Sequence, residues 1–221
     1  MSHDNSVLLR FSNRTGLFGL FLLTVTPVLA ALMYCGDANE RFSFLNHTLS
    51  ELGRYDVSQW ALLVNGGLFF GGLSLVASFA TRLWLVRGVE FQAALYSAGI
   101  VLALAITAVG LFPVNVGSLH QHAMTTFYLM TPICALLYCV ALWRDRSSRL
   151  GIAPATMAAL LAISAFLDEH RDLMLMDRYG YGLFGEQRPT IWWPALEGWL
   201  LLASVGLWLF FTLGVIRRQQ R

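Results

Sequence analysis

The fold is decided by the stretch from Trp60 to Thr81, which reads WALLVNGGLFFGGLSLVASFAT. The stretch contains no charged residue, and its apolar residues are continuous rather than alternating with polar ones. A bilayer core about 30 Å thick requires roughly 20 such residues in one α-helix. The stretch therefore predicts a transmembrane helix, and its continuity argues against a membrane β-strand.

Five further stretches of the same kind lie along the 221-residue chain. The six predicted spans are residues 16–34, 60–81, 91–113, 124–142, 152–167 and 193–216. The first span follows Arg10 and Arg14, as a signal peptide would, but its apolar run is long and we expect it to be retained. No linker or low-complexity tract divides the chain. The sequence predicts one domain over 1–221, an all-α, polytopic transmembrane bundle of six helices.

Composition excludes several other classes of protein. Hydrophobic residues make up 57% of the chain and charged residues 13%, about half the charged share of a soluble domain. Three Cys are too few for a disulfide scaffold. The net charge of +2 gives no reason to expect a nucleic-acid partner. All fifteen basic residues are Arg, which excludes a Schiff-base Lys and a P-loop Lys.

The basic residues are distributed unevenly between the two sides of the predicted bundle. Ten of the fifteen Arg lie in the N-terminus, the 82–90 and 144–149 loops and the C-terminus. The positive-inside rule then predicts cytoplasmic termini for a multi-pass protein of the inner (plasma) membrane. Most Trp residues lie near predicted span ends, as in an interfacial aromatic belt: Trp60, Trp84, Trp143, Trp192, Trp193 and Trp199.

Four His lie in or beside the predicted outer segments: His47, His120, His122 and His170. The first outer segment, NHTLSELGR, runs from Asn46 to Arg54. If this segment is helical, one side carries the polar residues, since positions three and four apart share a face: His47, Ser50, Glu51 and Arg54. The opposite side carries Leu49 and Leu52. We interpret this as a re-entrant or interfacial helix with reactive groups; the alternative is a solvated amphipathic helix with internal ion pairs.

The other outer segments add further polar residues. Pro113 is expected to end the third span. His120 and His122 lie two apart and do not share a helical face, so we predict that one of them joins the site and select His122, at the head of span four. His170 belongs to the charged run Asp168–Asp172, which is either part of an outer pocket or a solvated helix end.

Two polar residues, Asn65 and Glu197, fall inside predicted spans. Polar groups within spans usually face the bundle interior or a cavity. We therefore expect Asn65, Glu197 and Arg54 to bind substrate. Gly67 and Gly71 form a GxxxG unit, which predicts close approach of another helix.

Two of these segments resemble a known family. NHTLSELG (46–53) ahead of span two, and GLFP (110–113) followed by His120 or His122, are similar to blocks of the bacterial family called domain of unknown function 998, distantly similar to the Frag/Dram/Sfk membrane proteins. The resemblance covers about residues 16–215. It implies six transmembrane helices and no assigned reaction, with lipid remodelling or distribution among the wider group. The matching positions are Ser50, Glu51, Gly53, Phe112, Pro113 and one His.

From these observations we predict an outward-facing polar pocket that handles a membrane lipid or other amphiphile, by hydrolysis or transfer. The predicted catalytic residues are His47, Ser50, Glu51, His122 and His170. In one version His47, His122 and His170, with Glu51 or Asp168, hold a metal such as Zn²⁺, whose bound water would have a pKa of about 7. Ser50 would be a nucleophile or a hydrogen-bond donor.

Two alternatives come from other classes of protein. A small-solute transporter would need polar residues through the full membrane depth, and the span centres carry few. A non-catalytic subunit or assembly factor would bind a protein partner or another copy of the chain.

Overall fold

The computed structural model describes residues 3–36, 40–86, 90–145, 149–171 and 190–218. The side chains of a few residues near helix ends, His170 among them, lie outside that description. The helices are α1 (His3–Leu32), α2 (Leu49–Leu52), α3 (Ala61–Leu85), α4 (Glu90–Leu111), α5 (Ser118–Asp145), α6 (Ile152–Arg171) and α7 (Trp193–Arg218). Two 3₁₀ turns, Val114–Val116 and Arg149–Gly151, precede α5 and α6.

Six of these helices are long and apolar enough to cross a membrane, which confirms the predicted all-α bundle. Five of the six are longer than the predicted spans, because a helix continues into the polar turns at either end of its apolar stretch, whereas α4, with 22 residues, ends two residues before the predicted limit at Pro113. The difference is largest for α1, which begins at His3 rather than near Gly16, and for α5, which begins at Ser118 rather than near Met124. The cytoplasmic location of the termini stays a prediction.

The six long helices form a closed ring in chain order. Each packs against the next, and α7 returns to pack against α1. The ring centre is filled by buried apolar residues from every long helix, among them Leu23, Leu75, Ile106, Tyr138 and Trp208. Because the helices follow one another around the ring, the connections at each end of the bundle are brought close together.

The GxxxG unit of α3 lies against α1, as predicted. A Cβ added at Gly71 would lie 2.8 Å from Leu23 Cγ, and one added at Gly67 would overlap the side chain of Thr26. Gly66, one residue earlier, has open space beside it. The close contact of α1 and α3 therefore depends on Gly67 and Gly71 and not on Gly66.

Candidate functional site at the α2 end

The candidate residues lie at one end of the bundle, which we call the α2 end. It comprises the α1–α3 connection (33–36 and 40–60), the α4–α5 connection (112–117) and the first turns of α7. The α2 segment within it contacts both α1 and α7. Ring closure thus brings the first outer segment against the last helix of the chain.

The helical part of the first outer segment is a single turn, Leu49–Leu52. Thr48 caps it, since the Thr48 side chain accepts a hydrogen bond of 3.2 Å from the Glu51 backbone nitrogen. Glu51 and Leu52 are both buried. The turn is therefore packed into the bundle at both residues, and the predicted division into a polar and an apolar side stays a prediction.

Asn65 of α3 fixes the end of this turn. Its side-chain nitrogen donates a buried hydrogen bond of 2.7 Å to the Gly53 carbonyl oxygen. The backbone at Gly53 passes so close to Asn65 that a Cβ on Gly53 would press against the Asn65 amide oxygen. Asn65, which the sequence predicts to bind substrate, thus has a partner within the protein.

His47 lies in an aromatic cluster between α1, the first outer segment and α7. Only 3% of His47 is exposed, and its ring packs at 4.9 Å from Phe42 and 5.6 Å from Tyr34, measured between ring centroids. Its Nδ1 lies 2.8 Å from the Oδ1 of Asn46.

Trp199 of α7 belongs to the same cluster and contacts Phe42 and Phe44. Its indole nitrogen donates a hydrogen bond of 2.9 Å to the carbonyl oxygen of His47. Trp199 is buried, so its assignment to the interfacial belt is wrong. Instead its hydrogen bond to His47 connects the first outer segment to α7.

Ser50 and His120 face one another across the α2 end. The Ser50 hydroxyl oxygen lies 3.5 Å from His120 Nε2, and His120 Nδ1 lies 2.8 Å from the carbonyl oxygen of Phe112. A carbonyl oxygen only accepts hydrogen bonds, so Nδ1 carries the proton and the Nε2 lone pair is directed toward Ser50. His120 is 8% exposed and Ser50 is half-buried.

His122 differs from His120 in its exposure. It is exposed, and its Nδ1 bonds the carbonyl oxygen of Ser118, one turn earlier in α5. Because α5 already begins at Ser118, both His lie in the helix, and a spacing of two residues turns them to different sides. The buried position beside Ser50 belongs to His120, whereas a role for His122 stays a prediction. The start of α5 is marked by Gly117, whose φ of +61° favours glycine.

Glu197 is buried in the first turns of α7, with 2% of the residue exposed. Its carboxyl group interacts with the Ser164 hydroxyl and the Asp168 carboxylate, both on α6. Its Oε1 has no hydrogen-bond partner among the described residues. Glu197 thus faces the protein interior rather than the surrounding membrane interface.

Arg54 joins the two loops of the α2 end through Asp56. Its Nε donates a hydrogen bond of 2.6 Å to Asp56, and the Asn115 amide donates another of 2.9 Å to the same carboxylate. The hydrogen bond from Arg54 is the main cause that lowers the pKa of Asp56 to about 2; desolvation opposes it, and the hydrogen bond from Asn115 adds a smaller lowering effect. The Arg54 guanidinium, predicted to bind substrate, is therefore engaged in an ion pair.

Within the described part of the chain, no three His, Cys, Asp or Glu residues lie close enough together to hold a metal ion. The predicted metal set includes His170, whose side chain lies outside the description. The predicted metal site is therefore not tested.

Comparison of the chain with protein-family models, with curated proteins and with solved structures finds no match in any of the three. The resemblance to the domain of unknown function 998 family stays a prediction. Function is therefore argued from the residues of the α2 end alone.

Proposed function

We propose that the α2 end hydrolyses or transfers an acyl group of a membrane lipid or other amphiphile, with Ser50 as nucleophile and His120 as general base. One observation carries this proposal. Ser50 Oγ faces His120 Nε2 on one side of the imidazole, and the Phe112 carbonyl oxygen accepts a hydrogen bond from Nδ1 on the other. A nucleophile next to a base, with the base oriented by a third group, is the arrangement that activates a serine hydroxyl.

Each group has a defined part in the reaction. The Phe112 carbonyl holds the proton of His120 on Nδ1, which leaves Nε2 to accept the proton of Ser50 as Oγ bonds to the ester carbonyl carbon. The C–O bond to the leaving alcohol then breaks, and His120 returns the proton to that alcohol. Water or a second alcohol, deprotonated by the same Nε2, releases the acyl group from Ser50. The separation of 3.5 Å is wider than a catalytic hydrogen bond, as is common in structures without substrate.

The location favours an amphiphilic substrate. The Ser50–His120 pair lies at one end of helices that are long and apolar enough to cross a membrane. The same connections expose a set of large apolar side chains beside the polar pair: Phe44, Leu45, Leu111, Val116 and Leu119. Apolar surface here suits acyl chains, whereas the half-buried Ser50 and the buried His120 suit the ester.

Metal-assisted hydrolysis with Zn²⁺ is the second form of this proposal. It needs the His170 side chain to reach His47 and an acid such as Glu51 or Asp168. It also needs His122, which is exposed. The serine mechanism therefore has the stronger support.

Several buried hydroxyls in the spans weigh against a polar path through the bundle. Thr26, Thr107 and Thr131 each donate to the backbone carbonyl four residues earlier in their own helix. Their hydrogen-bonding capacity is used locally, so we do not favour a transporter.

The test uses a fluorophosphonate probe on the full chain in lipid nanodiscs. We expect covalent labelling of Ser50, because attack of Oγ on phosphorus expels fluoride in the same way that attack on an ester expels alcohol. Ser50→Ala should remove the label, whereas Ser118→Ala, an exposed serine at the same end, should retain it. His120→Ala should slow labelling by roughly 100-fold or more, and His122→Ala should leave the rate unchanged.

Thermal unfolding of each variant separates loss of the nucleophile from loss of the fold. A purely structural Ser50–His120 bond would lower the melting temperature of both variants and give a wild type that the probe does not label. Equal labelling of the wild type and Ser50→Ala would also refute the proposal. Release of a fluorescent fatty acid from a phospholipid in the same nanodiscs tests the substrate class.

A further inference from the structure

A second polar cluster lies at the opposite end of the bundle, where α1 begins and α3 ends. Ser12 and Ser78 are fully buried and exchange hydrogen bonds, since the Ser12 hydroxyl donates to the Ser78 carbonyl at 2.9 Å and the Ser78 hydroxyl donates to the Ser12 carbonyl at 2.8 Å. Arg82 follows Ser78 by one turn of α3. The cluster is independent of the α2 end and of the function proposed there.

Arg82 is the largest fully buried side chain in the described part of the chain, with 2% of the residue exposed. One guanidinium nitrogen, Nη2, donates a hydrogen bond of 2.6 Å to the Asn13 side-chain oxygen on α1. The hydroxyl of Tyr96 on α4 is the second group with which it interacts. Both partners are uncharged side chains.

Two donors of the same guanidinium are left over. Nε and Nη1 are buried and have no hydrogen-bond partner among the described residues. The one salt bridge in that part of the chain is the pair of Arg54 and Asp56, at the other end of the bundle. Among the described side chains, Arg82 is therefore a buried cation with no carboxylate in an ion pair with it.

A buried charge lowers the stability of the fold unless an opposite charge or hydrogen bonds compensate it. An arginine keeps its charge at every physiological pH, and a buried charge left uncompensated is strongly destabilising. Charges within a membrane span usually pair or mark a binding site. Within the described part of the chain, the unpaired donors and the lack of an ion pair at Arg82 both favour a bound anion.

We propose that Arg82 binds a phosphate group, with Nε and Nη1 as the donors that hold it and Asn13 and Tyr96 as the neighbours that orient the guanidinium. Arginine is well suited to phosphate because its planar group donates several hydrogen bonds in fixed directions. Arg10 and Arg14 are exposed at this end of α1 and would attract anions toward it. The phosphate comes from a lipid headgroup or from inorganic phosphate.

The experiment measures the melting temperature of the full chain with each source. In detergent without added lipid, sodium phosphate is compared with sodium chloride at equal ionic strength. In nanodiscs, phosphatidylglycerol is compared with digalactosyldiacylglycerol, a bilayer-forming lipid without phosphate, carrying the same acyl chains. The variant is Arg82→Gln, and the matched control is Arg14→Gln, which removes an exposed charge from the same end.

We expect one of the two sources to raise the melting temperature of the wild type by about 3 °C or more. The rise should disappear in Arg82→Gln and persist in Arg14→Gln. A response to inorganic phosphate identifies the free anion as a sufficient ligand, and a response to phosphatidylglycerol alone identifies the lipid headgroup. The inference is overturned if neither source acts on the wild type, or if Arg82→Gln retains the response.

Arg82→Lys replaces Arg82→Gln in the same measurement if Arg82→Gln does not fold. Lysine keeps the charge but loses the fixed directions of the guanidinium donors, so the response to the effective source should fall by at least half. An identical response in Arg82→Lys and in the wild type would show that the donors of Arg82 do not hold the anion.

Discussion

The side-chain nitrogen of Asn65 donates a hydrogen bond of 2.7 Å to the carbonyl oxygen of Gly53, twelve residues earlier in the chain. This bond joins a transmembrane helix to the turn that carries Ser50 and Glu51. It is buried, so neither group has water as an alternative partner. The position of the candidate nucleophile therefore depends on a residue inside a membrane span.

Asn65→Ala is expected to lower the free energy of unfolding by about 1–3 kcal/mol, because it leaves the buried Gly53 carbonyl without a donor. The measurement is reversible unfolding of the detergent-solubilised chain. Ser74→Ala is the control, since the Ser74 hydroxyl bonds its own helix on an exposed side and its loss should cost about 0.5 kcal/mol or less. Equal costs for the two variants would contradict the role given to Asn65.

Gly66 and Gly67 are adjacent in α3 and should respond in opposite ways to alanine. Gly67→Ala places a methyl group against Thr26 of α1 and should destabilise the chain by about 1–3 kcal/mol. Gly66→Ala meets open space and should stabilise by up to about 1 kcal/mol, because alanine is the better helix former. Melting temperatures of the two variants check this, and a destabilising Gly66→Ala would show that the helices pack differently.

Acid should weaken the connection between the two loops of the α2 end through Asp56. Its pKa falls from the ordinary 3.8 to about 2 in the folded chain, chiefly because Arg54 donates a hydrogen bond to the carboxylate. A lowered pKa means that the contribution to stability is complete above about pH 4 and is lost as the pH falls toward about 2.

The measurement compares the melting temperatures of the wild type and Asp56→Asn across that range. The two curves should converge as the pH falls. The difference should be small and shrink further with added salt, because the Asp56 side chain is half exposed. Curves that stay parallel through the range would show that the ion pair does not form in solution.

Trp199→Phe should retain the aromatic packing and lose the donor to the His47 carbonyl. We expect a cost of about 1–3 kcal/mol for the unpaired buried carbonyl. Trp143→Phe is the control, since Trp143 is 74% exposed and should respond weakly. The measurement is reversible unfolding of both variants. If Trp143→Phe lowers the free energy of unfolding as much as Trp199→Phe does, the hydrogen bond to the His47 carbonyl does not stabilise the fold.

The six helices could be predicted from the sequence because hydropathy and length are local properties. The gathering of Ser50, Glu51 and a His at one end could be predicted as well, since alternate connections of a membrane bundle share a side. The choice between His120 and His122 could not be predicted in this way. It depends on where α5 begins and how it is rotated, and both are set by contacts with other helices.

Arg82 is a clearer example of a position that cannot be predicted from the sequence. The charge pattern assigned it to the 82–90 loop, but it lies in the last turn of α3, inside the bundle. Its neighbours Asn13 and Tyr96 come from two other helices. Asn13 lies sixty-nine residues before Arg82, so no local sequence pattern connects the two. The contacts of Trp199 and Asn65 could not be predicted from the sequence for the same reason.

The ring order also has a consequence for biosynthesis. The bond between Trp199 and His47 joins residues 152 positions apart, and α7 is synthesised after the other described helices. Until α7 has entered the bilayer, the turn with Ser50 lacks the contact that holds it. A nascent chain arrested after α6 would already be inserted but would still lack its completed α2 end, so assembly of the candidate site is a post-insertion event.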